Sequence, residues 1–313
     1  MNAARRFYGA VEAGGSKFVC AIGDDLGEIL IERRFATANP ASTLAEVRAF
    51  LHERSREMGG LTAIGVGCFG PVELDRNSPR YGFIGRTPKS GWSGTDIAGI
   101  LAREFSIPIG FDTDVNAAAL AEQRWGAARE VKNLVYVTVG TGIGGGVIAG
   151  DVPLHGLMHP EIGHIYPRRH PSDQDFKGVC PFHGDCLEGL ASGPAIIARS
   201  GASLPELDTG HPQWDLEADY LGQLCAHLVL TVSPQMIIMG GGVMHQTRLL
   251  AAIRRRMQHW LCGYIDRREI LTDPEFYVVP AALGAQAGVL GALALAMNAA
   301  GHLQAAGHPQ IPA

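Results

Sequence analysis

The sequence predicts a two-domain α/β protein with an internally duplicated core, and three observations carry that prediction. Its 313 residues exceed what one small core holds. Short apolar runs of strand type alternate with helix-period segments along the chain. Two seventeen-residue stretches, Tyr8–Asp24 (YGAVEAGGSKFVCAIGD) and Val135–Asp151 (VYVTVGTGIGGGVIAGD), both read as strand, glycine turn, strand and both end in Gly-Asp. Loops of this size, facing each other across a cleft, would hold a triphosphate from two sides.

The elements follow in order. Tyr8 to Gly23 is the first hairpin, and Gly27 to Arg34 a third strand with Ile29 and Ile31 alternating against charge. Leu44, Val47, Phe50 and Leu51 recur at helical spacing in Thr43 to Met58, with Ser42 as the expected cap. Ala63 to Cys68 is a buried strand ending in Gly70-Pro71; Thr95 to Phe105 is an amphipathic helix and Ile107 to Phe111 a strand. Asp112 to Trp125 is a helix with an acidic start. The second hairpin begins at Leu134. Gln235 to Met239 is an apolar strand running into Gly240-Gly241-Gly242, followed by a helix from about Gln246 to Cys262 and a strand at Phe276 to Pro280. The Ala-, Gly-, His- and Pro-rich tail after Gly301 is expected to fray.

Composition excludes several classes. A net charge of −5 leaves no basic footprint for nucleic acid. At 46% hydrophobic and 18% charged, the chain is globular. Arg5-Arg6 leads into a charged strand rather than an apolar run with a cleavage site, so no signal peptide is expected. Ala281 to Ala300 lacks charge and has the length of a membrane span. It is mostly Ala and Gly with Gln286 and Asn298 inside, which suits a helix packed closely on a sheet. Cys20, Cys68 and Cys225 lie in apolar runs and read as small core residues. With no disulfide framework evident, the six cysteines suggest a reducing cytoplasm.

Three sets of residues carry chemistry. Gly14, Gly15, Ser16 and Lys17 sit between two strands, where backbone N–H groups, a hydroxyl and a charge can meet an anion, although double glycine is also ordinary turn chemistry. Gly140 to Gly146 holds five glycines in seven residues. It contains a G-x-G-x-x-G, as does Gly65 to Gly70, but neither opens a helix after its strand, so a dinucleotide site is not expected. Cys180, His183 and Cys186 are spaced as Cys-x2-His-x2-Cys, and His164, sixteen residues upstream, would complete a tetrahedral site matching structural zinc. Asp112 and Asp114 lie where a strand ends and a helix begins. One could take a proton from an attacking hydroxyl, or either could simply cap the helix. Glu161 and Glu188 flank the cysteine loop and are suited to accept vicinal sugar hydroxyls.

The ordered set Glu12–Lys17 (EAGGSK), Thr113–Asn116 (TDVN), Gly140–Gly145 (GTGIGG), Glu161–His164 (EIGH) and Cys186–Gly189 (CLEG) resembles the ROK family, over residues 8 to about 295. The resemblance implies an actin-like ATPase (ribonuclease H-like) fold whose two domains border a nucleotide and sugar cleft. It implies an N-terminal domain of residues 1–115 and a C-terminal domain of 116–313, the last helix packing back on the first domain. It implies Asp114 as general base, with Asn116 in support. Glu161, Glu188 and His164 would bind sugar, with Gly70, Gly91 and Trp92 around the sugar. Gly14 to Lys17 would form the first phosphate loop, Thr141, Gly142 and Gly144 the second, and Gly240 to Gly242 would approach adenosine. His164 would serve both sugar and zinc.

Two departures, Glu12 in place of Asp and Ser16 in place of Thr, look like the bacterial fructokinase branch, as does the Cys-Pro-Phe-His-Gly-Asp-Cys loop. Only seven residues precede the first strand, so the DNA-binding helices of family repressors are not expected. The expectation is therefore a homodimeric kinase using ATP with Mg2+, structural Zn2+ and fructose. A mannose, glucose or N-acetylhexosamine kinase, or a sugar sensor without turnover, is the alternative.

Overall fold

A computed structural model describes residues 5–301, so the tail expected to fray lies outside the described residues. The chain divides into two compact units. One comprises 5–121, 155–159 and 286–301, and the other 122–154 and 160–285.

The first unit begins with β1 (Phe7–Ala13), β2 (Lys17–Asp24) and β3 (Ile29–Ala36), then α1 (Pro40–Glu57), β4 (Ala63–Cys68), α2 (Ile97–Phe105) and β5 (Ile109–Thr113). α3 (Asp114–Trp125) runs on into the second unit. The sheet order is β3-β2-β1-β4-β5. β1 to β3 form an antiparallel meander, while β4 and β5 extend β1 in parallel.

The second unit holds β6 (Leu134–Val139), β7 (Ile143–Ala149), β8 (Val152–Pro153), α4 (Leu187–Ala191), α5 (Gly193–Ser200), α6 (Gln213–Thr231), β9 (Met236–Gly240), α7 (Thr247–Leu261), α8 (Arg268–Leu271) and β10 (Val278–Pro280). Its sheet order, β10-β9-β6-β7-β8, repeats the first, strand for strand: a meander of three, then two parallel strands added beside the first. The duplication read from two hairpins thus extends over both whole sheets.

Local chemistry accounts for the boundaries. α1 is capped by Asn39, whose side chain accepts from Ser42 N at 3.0 Å, with Pro40 at the first helical position; Ser42, the expected cap, lies one turn inside. α2 starts at its cap Asp96, which accepts from Gly99 N at 2.7 Å. β5 runs two residues further than expected, taking Asp112 and Thr113 into the sheet opposite Gly67 and Cys68.

The Ala/Gly segment forms α9 (Ala287–Ala299), packed in the first unit on β4, β1 and β5. A Cβ on Gly65 would lie 1.8 Å from Ala292 O, and one on Gly110 2.2 Å from Leu295 O. Helix backbone rests directly on strand backbone, and small residues on both sides permit it. Among the described residues no helix is long and apolar enough to cross a membrane.

The segment from 187 to 231 escaped the sequence reading. α5 has a legible start, Ser192-Gly193-Pro194, with the Ser192 side chain accepting from Ala195 N at 3.4 Å. α6 is buried nearly all round, so no amphipathic stripe marks it. On α6, Tyr220 donates to Asp173 at 2.7 Å while Arg199 grips the same carboxylate at 2.8 and 3.1 Å. Charge-assisted bonds of this kind each contribute about 1.5–3 kcal/mol.

Glu217 on α6 is 0% exposed, and neither carboxylate oxygen has a hydrogen-bond partner among the described residues. Burial raises its carboxyl far above the ordinary range, only partly opposed by the Arg199 charge. Folding therefore favours the protonated form. This costs nothing below the unfolded pKa of about 4.3 and progressively more as pH rises above it. Glu217→Gln should match the wild type in urea unfolding near pH 4 and exceed it increasingly toward pH 8. A constant difference across that range would contradict a buried neutral carboxyl.

Candidate active site

The first hairpin loop closes on itself, Gly14 N donating to Lys17 O at 3.0 Å. Gly15, Ser16 and Lys17 are exposed. The base of the loop is held by Thr37, which sequence reasoning missed: its hydroxyl donates to Gly14 O at 2.7 Å and its N–H to Ser16 O at 3.1 Å. Glu12, on β1 before this loop, is crowded enough that burial raises its carboxyl against the pull of Lys17.

The second loop is shorter than the glycine run suggests. Gly140, Thr141 and Gly142 form the turn, Gly140 N donating to Gly142 O at 2.9 Å, and Thr141 is exposed. Gly144 to Gly146 belong to β7. The turn Ile162–His164 packs on that strand, where a Cβ on Gly163 would stand 1.8 Å from Ile143 O. Part of the glycine signal is therefore close packing around β7. Two bonds tie the turn to its surroundings: Gly193 N donates to Gly140 O at 2.7 Å, and Ile143 N to Glu188 Oε2 at 3.0 Å. In the third run, Gly240 ends β9 and Gly242 opens a short turn. Between them Gly241 adopts φ +91 with its α-carbon against Val139, a conformation closed to other residues.

Glu188, in the first turn of α4, lies close enough to Glu161 for its charge to matter. Crowding by protein atoms, then the Glu188 charge, pushes the Glu161 carboxyl up to about 7, although its outer face stays open to solvent, which softens the effect. The pair thus presents one firmly placed acceptor and one that titrates readily.

His164, Cys180, His183 and Cys186 come together as the spacing predicts, with one ligand atom from each within 4.8 Å of the others. His164 Nδ1 is 3.4 Å from Cys186 Sγ and 3.8 Å from Cys180 Sγ, and Cys180 Sγ is 3.6 Å from His183 Nδ1. Zn–S bonds of about 2.3 Å and Zn–N bonds of about 2.0–2.1 Å put tetrahedral neighbours roughly 3.3–3.8 Å apart, so the donor set fits zinc. Burial, with the adjacent Cys180, pushes the Cys186 thiol up to about 12; a bound cation reverses that preference. Since His164 offers Nδ1 to the cluster, its other nitrogen is available to a second partner.

In the first unit, Asp114 opens α3, its Oδ1 accepting from Val115 N at 2.9 Å, and it is partly exposed. Thr113 caps the helix, its hydroxyl accepting from Asn116 N at 3.0 Å. Asp112 differs from the expectation that paired it with Asp114 beyond the strand. It is inside β5, 2% exposed, and its Oδ1 accepts from Thr113 N and Asn116 Nδ2, each at 2.7 Å. Asn116 is thereby fixed beside Asp114. His155 reaches the other oxygen of Asp112 at 2.9 Å, a residue that no motif had marked.

Gly70 and Gly91 lie on partly or fully exposed loops. Trp92 does not. It is 0% exposed, its ring 5.3 Å from Phe18 and 5.6 Å from Phe69, and its Nε1 donates to Ala38 O at 2.9 Å. The expectation of sugar contact at Trp92 gives way to a core role, because every face and the polar tip are taken.

Two duplicated sheets, each with a glycine hairpin, define the actin-like ATPase fold of sugar kinases. The chain matches the ROK family over residues 8–299 and belongs to it. A fructokinase of Zymomonas mobilis is 43% identical over 94% of this chain and 98% of its own length. The crystal structure of a ROK hexokinase from Thermus thermophilus superposes with a TM-score of 0.76 at 28% identity, covering 93% of this chain and 98% of its own. That of a ROK family glucokinase from Streptomyces griseus in complex with glucose and AMPPNP gives 0.71 at 25%, covering 94% and 100%.

The glycines of the site separate by packing. Gly163→Ala should lower the melting temperature by several degrees, since its Cβ would meet backbone. Gly15→Ala, with nothing within 4 Å of its Cβ, should leave stability within about 0.5 kcal/mol. Calorimetry on both variants checks this; equal melting temperatures would refute the packing account.

Proposed function

We propose that the protein is an ATP-dependent fructokinase that transfers the γ-phosphoryl group of MgATP to D-fructose, giving fructose 6-phosphate. One observation carries the choice of sugar: 43% identity over nearly the full length to the Zymomonas fructokinase, against 25% to the Streptomyces glucokinase.

The residues take the following parts. Asp114 accepts the proton of the sugar's terminal hydroxyl as it attacks phosphorus. Its partial exposure suits a group that must meet a ligand. Asn116 supports it from a fixed position. Glu161, Glu188 and His164 accept or donate to sugar hydroxyls, with Gly70 and Gly91 on neighbouring loops. Gly14, Gly15, Ser16 and Lys17 hold phosphate in the first unit; Thr141, Gly142 and Gly144 do so in the second. Gly240 to Gly242 approach the adenosine, where side chains would intrude. Mg2+, entering with ATP, neutralises phosphate charge. The remaining work is positioning, which rigid loops supply.

Zinc on His164, Cys180, His183 and Cys186 is structural, because four protein donors leave no open position for a reactive water. The protein acts in the cytoplasm as a homodimer; six free cysteines suit a reducing compartment. The domains read from the sequence, 1–115 and 116–313, would be an acceptor part and a nucleotide and zinc part; the compact units are drawn differently, since 116–121, 155–159 and 286–301 fall in the first.

A coupled ADP-release assay over fructose, mannose, glucose and N-acetylated hexosamines tests the reaction. Turnover should be greatest on fructose, and Asp114→Asn should lower kcat by about 10²–10⁴-fold while the fold and sugar binding persist. Comparable turnover in Asp114→Asn would remove it as the base, and preference for another sugar would replace the substrate.

Elemental analysis should find one zinc per chain. Stripping it with a chelator, or Cys186→Ser, should lower the melting temperature by several degrees in nucleotide-free buffer. Unchanged melting in metal-free protein would deny the structural role.

A further inference from the structure

Residues 155–159 pack within the first unit although the chain on either side belongs to the second. Two histidines fix the segment there. His159 is buried, and its Nε2 accepts the N–H of Val72 at 3.1 Å. His155 places its Nε2 2.9 Å from Asp112 Oδ2.

The Asp112 carboxylate is otherwise occupied, since both bonds to Oδ1 are short and come from within its own turn. An ionised carboxylate only accepts, so His155 carries a hydrogen on Nε2 and its tautomer is set. Nδ1 is then left over. It has no hydrogen-bond partner among the described residues, and the side chain is 39% exposed. A buried carboxylate that fixes one imidazole nitrogen and leaves the other for a ligand is how proteins aim histidine. His159, buried in the same segment, already pins the loop through Val72. The place also matters. Asp112 and Asp114 are separated by one residue, so their α-carbons are no more than about 8 Å apart.

We propose that His155, oriented by Asp112, is a sugar-binding residue whose Nδ1 hydrogen-bonds a hydroxyl of the acceptor hexose beside Asp114. The proposal rests on the fructokinase reading for the identity of the sugar. A sugar hydroxyl both donates and accepts, so it suits either state of the ring: neutral Nδ1 accepts from it, and protonated Nδ1 donates to it. The hydrogen bond to Asp112 raises the pKa of His155 above its usual value, while partial burial and the Arg76 guanidinium oppose the rise. Tyr81 feels the charge of the same Asp112: its ring lies against Phe111 and under Arg76, and its buried hydroxyl lacks a hydrogen-bond partner among the described residues.

Glutamine separates binding from pinning. In His155→Gln the amide nitrogen can still donate to Asp112, but no atom replaces Nδ1. His155→Ala removes both. Hexose affinity is measured by calorimetry, and KM for fructose and for MgATP by the ADP-release assay, on the wild type and both variants with melting temperatures. His155→Gln should melt like the wild type yet weaken fructose binding and raise its KM by roughly three- to tenfold, as loss of one hydrogen bond implies. Its KM for MgATP should stay within twofold.

Recovery of wild-type fructose affinity in His155→Gln would reduce His155 to a pin and overturn the proposal, as would equal rises in both KM values. If the wild type turns over a different hexose, the fructose reading fails. The same comparison with that hexose still decides His155. Absence of hexose binding by the wild type would overturn both.

Discussion

The hydrogen bond from Ile143 N to Glu188 Oε2 is the joint on which the second unit's site depends. Ile143 begins β7 immediately after the glycine turn, and Glu188 sits two residues after the metal-loop Cys186. One interaction therefore sets the glycine turn against the cysteine loop. Removing the carboxylate would leave a part-buried N–H without its acceptor, a loss of about 1–3 kcal/mol. The same strand carries the turn with Glu161 and His164, because Gly163 allows backbone to lie on backbone. The glycine turn, the two carboxylates and the Cys/His cluster are thus all tied to the start of β7. A zinc ion closing the four donors would stiffen all of them together.

The first unit solves the corresponding problem with a buried carboxylate. Asp112 collects Thr113 N, Asn116 Nδ2 and His155, so the start of α3 is held by polar bonds rather than by packing. That leaves Asp114 at the helix start with its capping work done by Thr113. Around this point the sheet is braced by α9, whose backbone lies directly on β4 and β5. Polar positioning at the strand ends and close apolar packing beneath them fit one scaffold for phosphoryl transfer, in which placement matters more than covalent chemistry.

Much of this was legible in the residues. Hairpin glycines, strand periods and Cys-x2-His-x2-Cys spacing are local signals, and local signals survive in a sequence. The elements that escaped lack such signals for physical reasons. α6 is wrapped by protein, so its period is masked. Trp92 was expected near the sugar beside Gly91, but Phe18 and Phe69 from distant positions cover it. β5 outran its apolar run because Asp112 is buried among polar partners, of which His155 lies 43 residues away in the sequence.

The sequence by itself determined the duplicated hairpins, the α/β alternation, the Cys-x2-His-x2-Cys loop and the helix made to lie flat on a sheet. Each depends on residues within one turn, one strand or one loop, where spacing alone fixes geometry. Only the tertiary structure decided which acidic residue is buried and which is partly open, that Thr37 and Glu188 hold the two glycine loops, and that His155 meets Asp112. Those contacts join residues 23, 45 and 43 positions apart, and no local period records what the folded chain brings together at such separations.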